Sequence, residues 1–207
     1  MMEGLSRMYH DGHGDGEVRY LYKILAEAEQ SVDYLYRQSK VYKAKMEFPN
    51  SELGRDLKLI SELINAGTST RVYYVSLSGF DTHINQKIQQ DRGLRIYGEA
   101  LAAFVRELKA GGRWQQVMVM TFSEFGRRVE QNASAGTDHG KANCLFLAGG
   151  SLKTKGIYNA LPDLGDLQEG DLRYSVDFRS VYAGLLKGWL GTDPSTILGG
   201  DFELFLV

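Results

Sequence analysis

Cysteine is almost absent, with Cys144 as the only one. A lone thiol excludes an intramolecular disulfide and any zinc site built on cysteine pairs. Proline is scarce too: 3 prolines stand against 12 tyrosines in 207 residues, which excludes a long disordered linker. Neither sign of charge prevails. The 24 basic and 26 acidic side chains leave a formal net charge of −2. That excludes a strongly basic nucleic-acid surface and an acidic tail. No apolar run approaches the ~18 residues of a transmembrane helix. The opening stretch, MMEGLSRMYHDGHGDGE, lacks the apolar segment of a signal peptide. What remains is ordinary for a globular chain: 43% apolar and 24% charged residues, enough to bury a core.

Residues 1–16 are polar and rich in Gly, His and Asp, and read as a flexible lead-in. Their run His10 to Gly16 fails as a calcium loop, because His13 and Tyr22 stand where acids are needed. Residues 17–207 read as one α/β domain, with 17–50 as a helical arm. Apolar residues at Val18, Leu21, Leu25, Ala28, Val32 and Leu35 predict a helix from Glu17 to about Ala44. Pro49 breaks the pattern, and Ser51 is placed to cap a second helix that ends at Ala66-Gly67. Arg71–Leu77, β-branched and aromatic, reads as a strand buried on both faces. A long amphipathic helix follows and ends at Gly111-Gly112. Val117–Thr121 and Asn143–Ala148 read as two more strands, the second containing Cys144 as a small packed group. A hairpin-like stretch lies around Ile157-Tyr158, and a last helix spans about Asp177 to Leu190. Strand–helix–strand order with buried strands predicts a three-layer α/β sandwich with a largely parallel sheet.

In such a sheet, ligands gather outside the carboxyl ends of the strands. Three polar clusters fall there: Asp81-Thr82-His83, Ser123-Glu124-Phe125-Gly126-Arg127 and Gly136-Thr137-Asp138-His139-Gly140. Asp81 and His83 are two apart, so an extended backbone puts both on one face. His139 offers a further imidazole and Glu124 a further carboxylate, a donor set that suits a divalent metal such as zinc or manganese. The competing reading makes them loop residues with capping and turn roles. Arg127 is placed to hold an anionic group. Ser123 sits in no nucleophile elbow, and a Ser123/His139/Asp138 triad is poorly formed because Asp138 and His139 adjoin.

These three motifs, with Gly149-Gly150 and the Asp177-Phe178-Arg179 helix start, resemble the bacterial DUF1501 family over roughly residues 51–207. That family in turn resembles the alkaline-phosphatase-like superfamily, which includes sulfatases and binds two metal ions at a sheet rim. The resemblance implies an incomplete alkaline-phosphatase-like fold and a metal-dependent phosphate- or sulfate-ester hydrolase. Asp81, His83 and His139 would form one metal site and Glu124 part of a second, with Arg127 on a small anionic ester. Three departures stand out. The first pair is spaced by two residues rather than four. Phe125 stands where the superfamily has a ligand histidine. No residue matches the nucleophile of its N-terminal half. The chain is thus expected to correspond to the C-terminal half of such an enzyme, short of its nucleophile, or else to a non-catalytic binding or scaffold module. The resemblance also implies bacterial export. An incomplete sheet exposes an edge, so a homo-oligomer is expected, joined through the first two helices or that edge.

Overall fold

A computed structural model describes residues 16–153 and 155–203. The expected lead-in, apart from Gly16, lies outside the described residues. The chain divides into two compact units. One holds the residues up to Ser76 together with Gly98–Gly111; the other holds Leu77–Tyr97 and the residues from Gly112 onward.

The first unit contains α1 (Gly16–Gln38), α2 (Glu52–Asn65) and the second half of α3 (Gln86–Ala110). Ser51 caps α2 as expected, its Oγ accepting from the Gly54 N–H at 3.1 Å. Gly67, at φ 80°, ends it in the left-handed region. Leu53, Leu57, Leu63, Ala100, Ala103, Phe104 and Leu108 form the buried apolar set. Two buried carboxylates sit among them. Glu107 accepts from the Tyr42 hydroxyl at 2.7 Å and from the backbone N–H groups of Lys45 at 2.9 Å and Met46 at 2.7 Å. Glu62 accepts from the Ala44 N–H at 3.0 Å and the Lys43 ammonium at 3.2 Å. Two glutamates thus do for residues 42–46 what a neighbouring strand's carbonyls do in a sheet. Past the end of α1 at Gln38, the N–H groups of Ser39, Lys40 and Val41 close the last turns onto Leu35, Arg37 and Gln38 carbonyls, and the helix does not reach Ala44, where the N–H groups of Ala44, Lys45 and Met46 bond sideways to the two carboxylates.

The second unit corrects the expected architecture. Its strands are short and antiparallel: β1 (Met118–Thr121) pairs with β4 (Phe146–Gly149), β2 (Gly126–Arg127) with β3 (His139–Gly140), and β5 (Leu167–Gln168) with β6 (Asp171–Leu172). There is no three-layer sandwich and no parallel sheet among the described residues, so the alkaline-phosphatase-like fold is overturned. The parallel reading needed Arg71–Leu77 as its first strand. The exposure of that stretch alternates along the chain, with Val72 and Tyr74 outward, but it belongs to no ladder. β-Propensity describes a side chain's fit to a pleated surface; only a paired neighbour makes the strand.

β1 to β4 form instead one long interrupted hairpin. Met118 opposes Gly149 and Thr121 opposes Phe146; after a break, Gly126 opposes Gly140 and Arg127 opposes His139. The gap holds residues 122–125 on one side and 141–145 on the other, so the return side carries one extra residue, as in a bulge. Cys144 lies in this gap, exposed and outside any strand, against the expectation of a packed strand thiol. Residues around Ile157-Tyr158 form no hairpin; the hairpin is β5–β6, turned by Glu169 and Gly170, both at positive φ. The last long helix, α4 (Phe178–Gly188), begins at its Asp177 cap, and Ser195–Leu198 forms the short α5. No described helix is long and apolar enough to cross a membrane.

Candidate functional site

The second unit brings the first and third polar clusters together. The tip of the long hairpin docks on residues 83–86, at the start of α3. Asn85 N–H donates to Ser134 O at 3.0 Å and Gln86 N–H to Ala135 O at 2.9 Å, which supplies partners where the helix begins. The Asn132 side-chain amide donates to His83 O at 3.0 Å, while its Oδ1 accepts from the Ser134 and Gly136 N–H groups. Gly136 lies so close that a Cβ there would stand 2.1 Å from the His83 carbonyl carbon and oxygen. Only glycine lets the two backbones approach this far.

Arg127, on β2, ties the remaining loop in place. Its Nη1 donates to Thr137 O at 2.7 Å, and its Nη2 to Phe80 O, to Thr82 Oγ1 at 3.3 Å and to Asp81 Oδ1 at 3.4 Å. The guanidinium is largely buried, with 15% side-chain exposure, and engages both clusters at once. A planar fork suits this job, because two fixed donors reach two carbonyls from one centre.

The outcome is a solvent-facing group of one carboxylate and two imidazoles. Asp81, His83 and His139 each offer a ligand atom, all within 4.8 Å of one another. Asp81 Oδ1 lies 2.8 Å from His139 Nε2 and 2.9 Å from His83 Nε2. The hydrogen bond from His139, with the charges of His83 and Arg127, holds the Asp81 carboxyl below the usual carboxylate range. Both rings are oriented. The Asp138 Oδ1 sits 3.3 Å from His83 Nδ1. His139 lies flat on Phe125, with centroids 4.0 Å apart and planes at 3°, and the Arg127 guanidinium carbon stands 5.1 Å from the Phe125 ring centre.

Asp81, His83, Asp138, His139 and Arg127 are therefore gathered, and Glu124 and Ser123 are not part of the group. Glu124 is exposed and outside the Asp–His–His cluster. Ser123 is exposed, and its hydroxyl donates to Phe125 O at 2.9 Å. Reading the sequence missed the parts that assemble the site: Phe125 as a ring under His139, Asn132 as a strut and Gly136 as a close approach. Their one visible signal was the glycine-bounded run Gly136–Gly140.

A family model described as protein of unknown function (DUF1501) matches residues 21–198. No curated protein and no solved structure matches the chain.

Proposed function

This chain belongs to the DUF1501 family, and we propose that Asp81, His83 and His139 hold a divalent transition metal in a phosphate- or sulfate-ester hydrolase. The observation that carries this is the convergence of both Nε2 atoms on one Asp81 oxygen, at 2.8 and 2.9 Å. A hard carboxylate with two borderline imidazoles is a donor set for zinc, manganese or iron, and three protein ligands leave a position for water or substrate. Partial exposure of all three residues gives a small anionic ester access. Bound there, the cation would polarise an ester oxygen and lower the pKa of water. The protein's share is orientation: Asp138 and Phe125 aim the imidazoles, and Arg127 fixes the Asp81 loop. Arg127, expected on the substrate, is engaged with loop oxygens, so in this reading the ester's charge is met by the metal. The motif resemblance to phosphatases and sulfatases supports the same chemistry, and bacterial export is the compartment it carries. A second copy of the chain is the partner that goes with its exposed apolar residues, among them Leu21, Leu25 and Val32 on α1.

The second reading is a binding module without turnover. Phe125 favours it: an aromatic ring stacked on His139 takes the place where a second metal would need an imidazole. Zinc- or manganese-loaded protein offered nitrophenyl phosphate and nitrophenyl sulfate separates the two. Metal-dependent release of nitrophenol, lost in Asp81→Ala, supports the hydrolase. Stoichiometric metal without release contradicts the hydrolase and supports the binding module.

A further inference from the structure

We infer that Asp138 is a positioning residue for this site: its carboxylate keeps the His83 proton on Nδ1 and so presents Nε2 to the point shared by Asp81 and His139. The inference rests on the metal reading above. A neutral imidazole carries one proton, and only its other nitrogen can ligate. His83 has a carboxylate oxygen at each end, Asp138 Oδ1 at 3.3 Å from Nδ1 and Asp81 Oδ1 at 2.9 Å from Nε2. With a cation held at Nε2, the single proton of the neutral ring would sit on Nδ1. The proton at the Nδ1 end then has Asp138 as its acceptor, which fixes the tautomer, holds the ring plane and makes Nε2 a better donor.

The chain places Asp138 for this role. It directly precedes β3, and its backbone carbonyl accepts from the Arg128 N–H at 3.0 Å, so its position is set by the hairpin and not by His83. One dipeptide thus supplies a ligand, His139, and the group that orients the other imidazole. His139 is oriented differently, by its stack on Phe125. The two ligand rings therefore have independent supports, and each can be removed alone. Asp138 is well exposed, at 65% of its side chain, so removing it leaves no buried group unsatisfied.

The test uses the full chain, with zinc ion as the probe. Zinc affinity is measured by competition titration, the His83 tautomer by long-range proton–nitrogen NMR, and metal-free stability by thermal unfolding. In the zinc-loaded wild type, His83 carries its proton on Nδ1. Asp138→Ala binds zinc about 10–100-fold more weakly, loses the pure Nδ1-protonated form and melts, metal-free, where the wild type does. Asp138→Asn keeps an acceptor oxygen, retains the tautomer and recovers most of the affinity. Unchanged zinc affinity and tautomer in Asp138→Ala, with binding abolished by Asp81→Ala, overturns the inference and leaves the metal reading standing. A fall in metal-free melting temperature that accounts for the lost affinity also overturns it. Zinc binding that survives both Asp81→Ala and His139→Ala overturns the metal reading and the inference together.

Discussion

Replacing Gly136 by alanine attacks the site without touching a ligand. The new Cβ would stand 2.1 Å from the carbon and oxygen of the His83 carbonyl and 2.7 Å from Ile84 N, where ordinary contact begins at 3.4 Å. All three are backbone atoms, so no side chain can swing aside. The hairpin tip must retreat by about an ångström, whereas metal–ligand distances tolerate only about 0.2 Å. The same retreat strains the bonds from Asn132 Nδ2 to His83 O at 3.0 Å and from Gln86 N to Ala135 O at 2.9 Å. Overpacking costs about 1–3 kcal/mol, and each weakened hydrogen bond adds about 1 kcal/mol. Gly136→Ala is therefore expected to lose about 3 kcal/mol, a fall of about 6–12 °C in melting temperature for a chain of this size. Zinc affinity should fall at least about tenfold, as for a lost outer-shell partner. Gly98→Ala is the control: a Cβ there meets nothing within 4 Å, and it lies inside α3. It should gain up to about 1 kcal/mol and leave zinc binding untouched. Thermal unfolding by circular dichroism and a zinc titration read both. A Gly136→Ala protein that melts with the wild type and binds zinc equally would refute the close approach as the device that joins His83 to His139.

Burial and the neighbouring Glu107 push the Tyr42 phenol up from 10.0 to about 12, so folding favours its neutral form. Stability from Tyr42 is present in full below pH 10 and is lost as pH rises through about 12, by at most about 3 kcal/mol. Urea unfolding across this range should show the decline, and Tyr42→Phe should flatten it. Arg127→Lys keeps the charge but loses the fork that reaches Thr137 O and Phe80 O. It should cost about 2–4 kcal/mol in denaturant unfolding and weaken zinc binding, because the Asp81 loop is released. Phe125→Leu removes the stack under His139. It should cost about 1 kcal/mol of stability and reduce zinc affinity in titration, with no change in the His83 tautomer.

The sequence was most readable where the determinant is local. Ser51 and Gly67 bound α2 through a cap and a left-handed turn, and both effects act within a few residues. Asp177 starts α4 in the same way. The site was partly readable for a similar reason: Asp81 and His83 lie two apart, and His139 stands in the glycine-bounded run Gly136–Gly140. What escaped depends on partners distant in sequence. Whether Arg71–Leu77 is a strand turns on a paired neighbour that no propensity reports. The course of residues 44–46, expected to approach the end of the first helix, turns on Glu62 and Glu107, buried carboxylates that claim their backbone N–H groups. Arg127 invites an anion-binding reading because a guanidinium suits anions, yet it meets carbonyl oxygens of its own loops. The antiparallel hairpin escaped because Val117–Thr121 and Asn143–Ala148 have the same composition in either orientation.

The metal centre is the claim on which the functional account depends, and metal content tests it most directly. Untagged wild type, Asp81→Ala and His139→Ala would be purified, incubated with zinc, desalted and analysed by elemental mass spectrometry. The account predicts about one equivalent of metal in the wild type and none in either variant, as expected for a site short of ligands. Equal metal in all three proteins, or none in any of them, would contradict it.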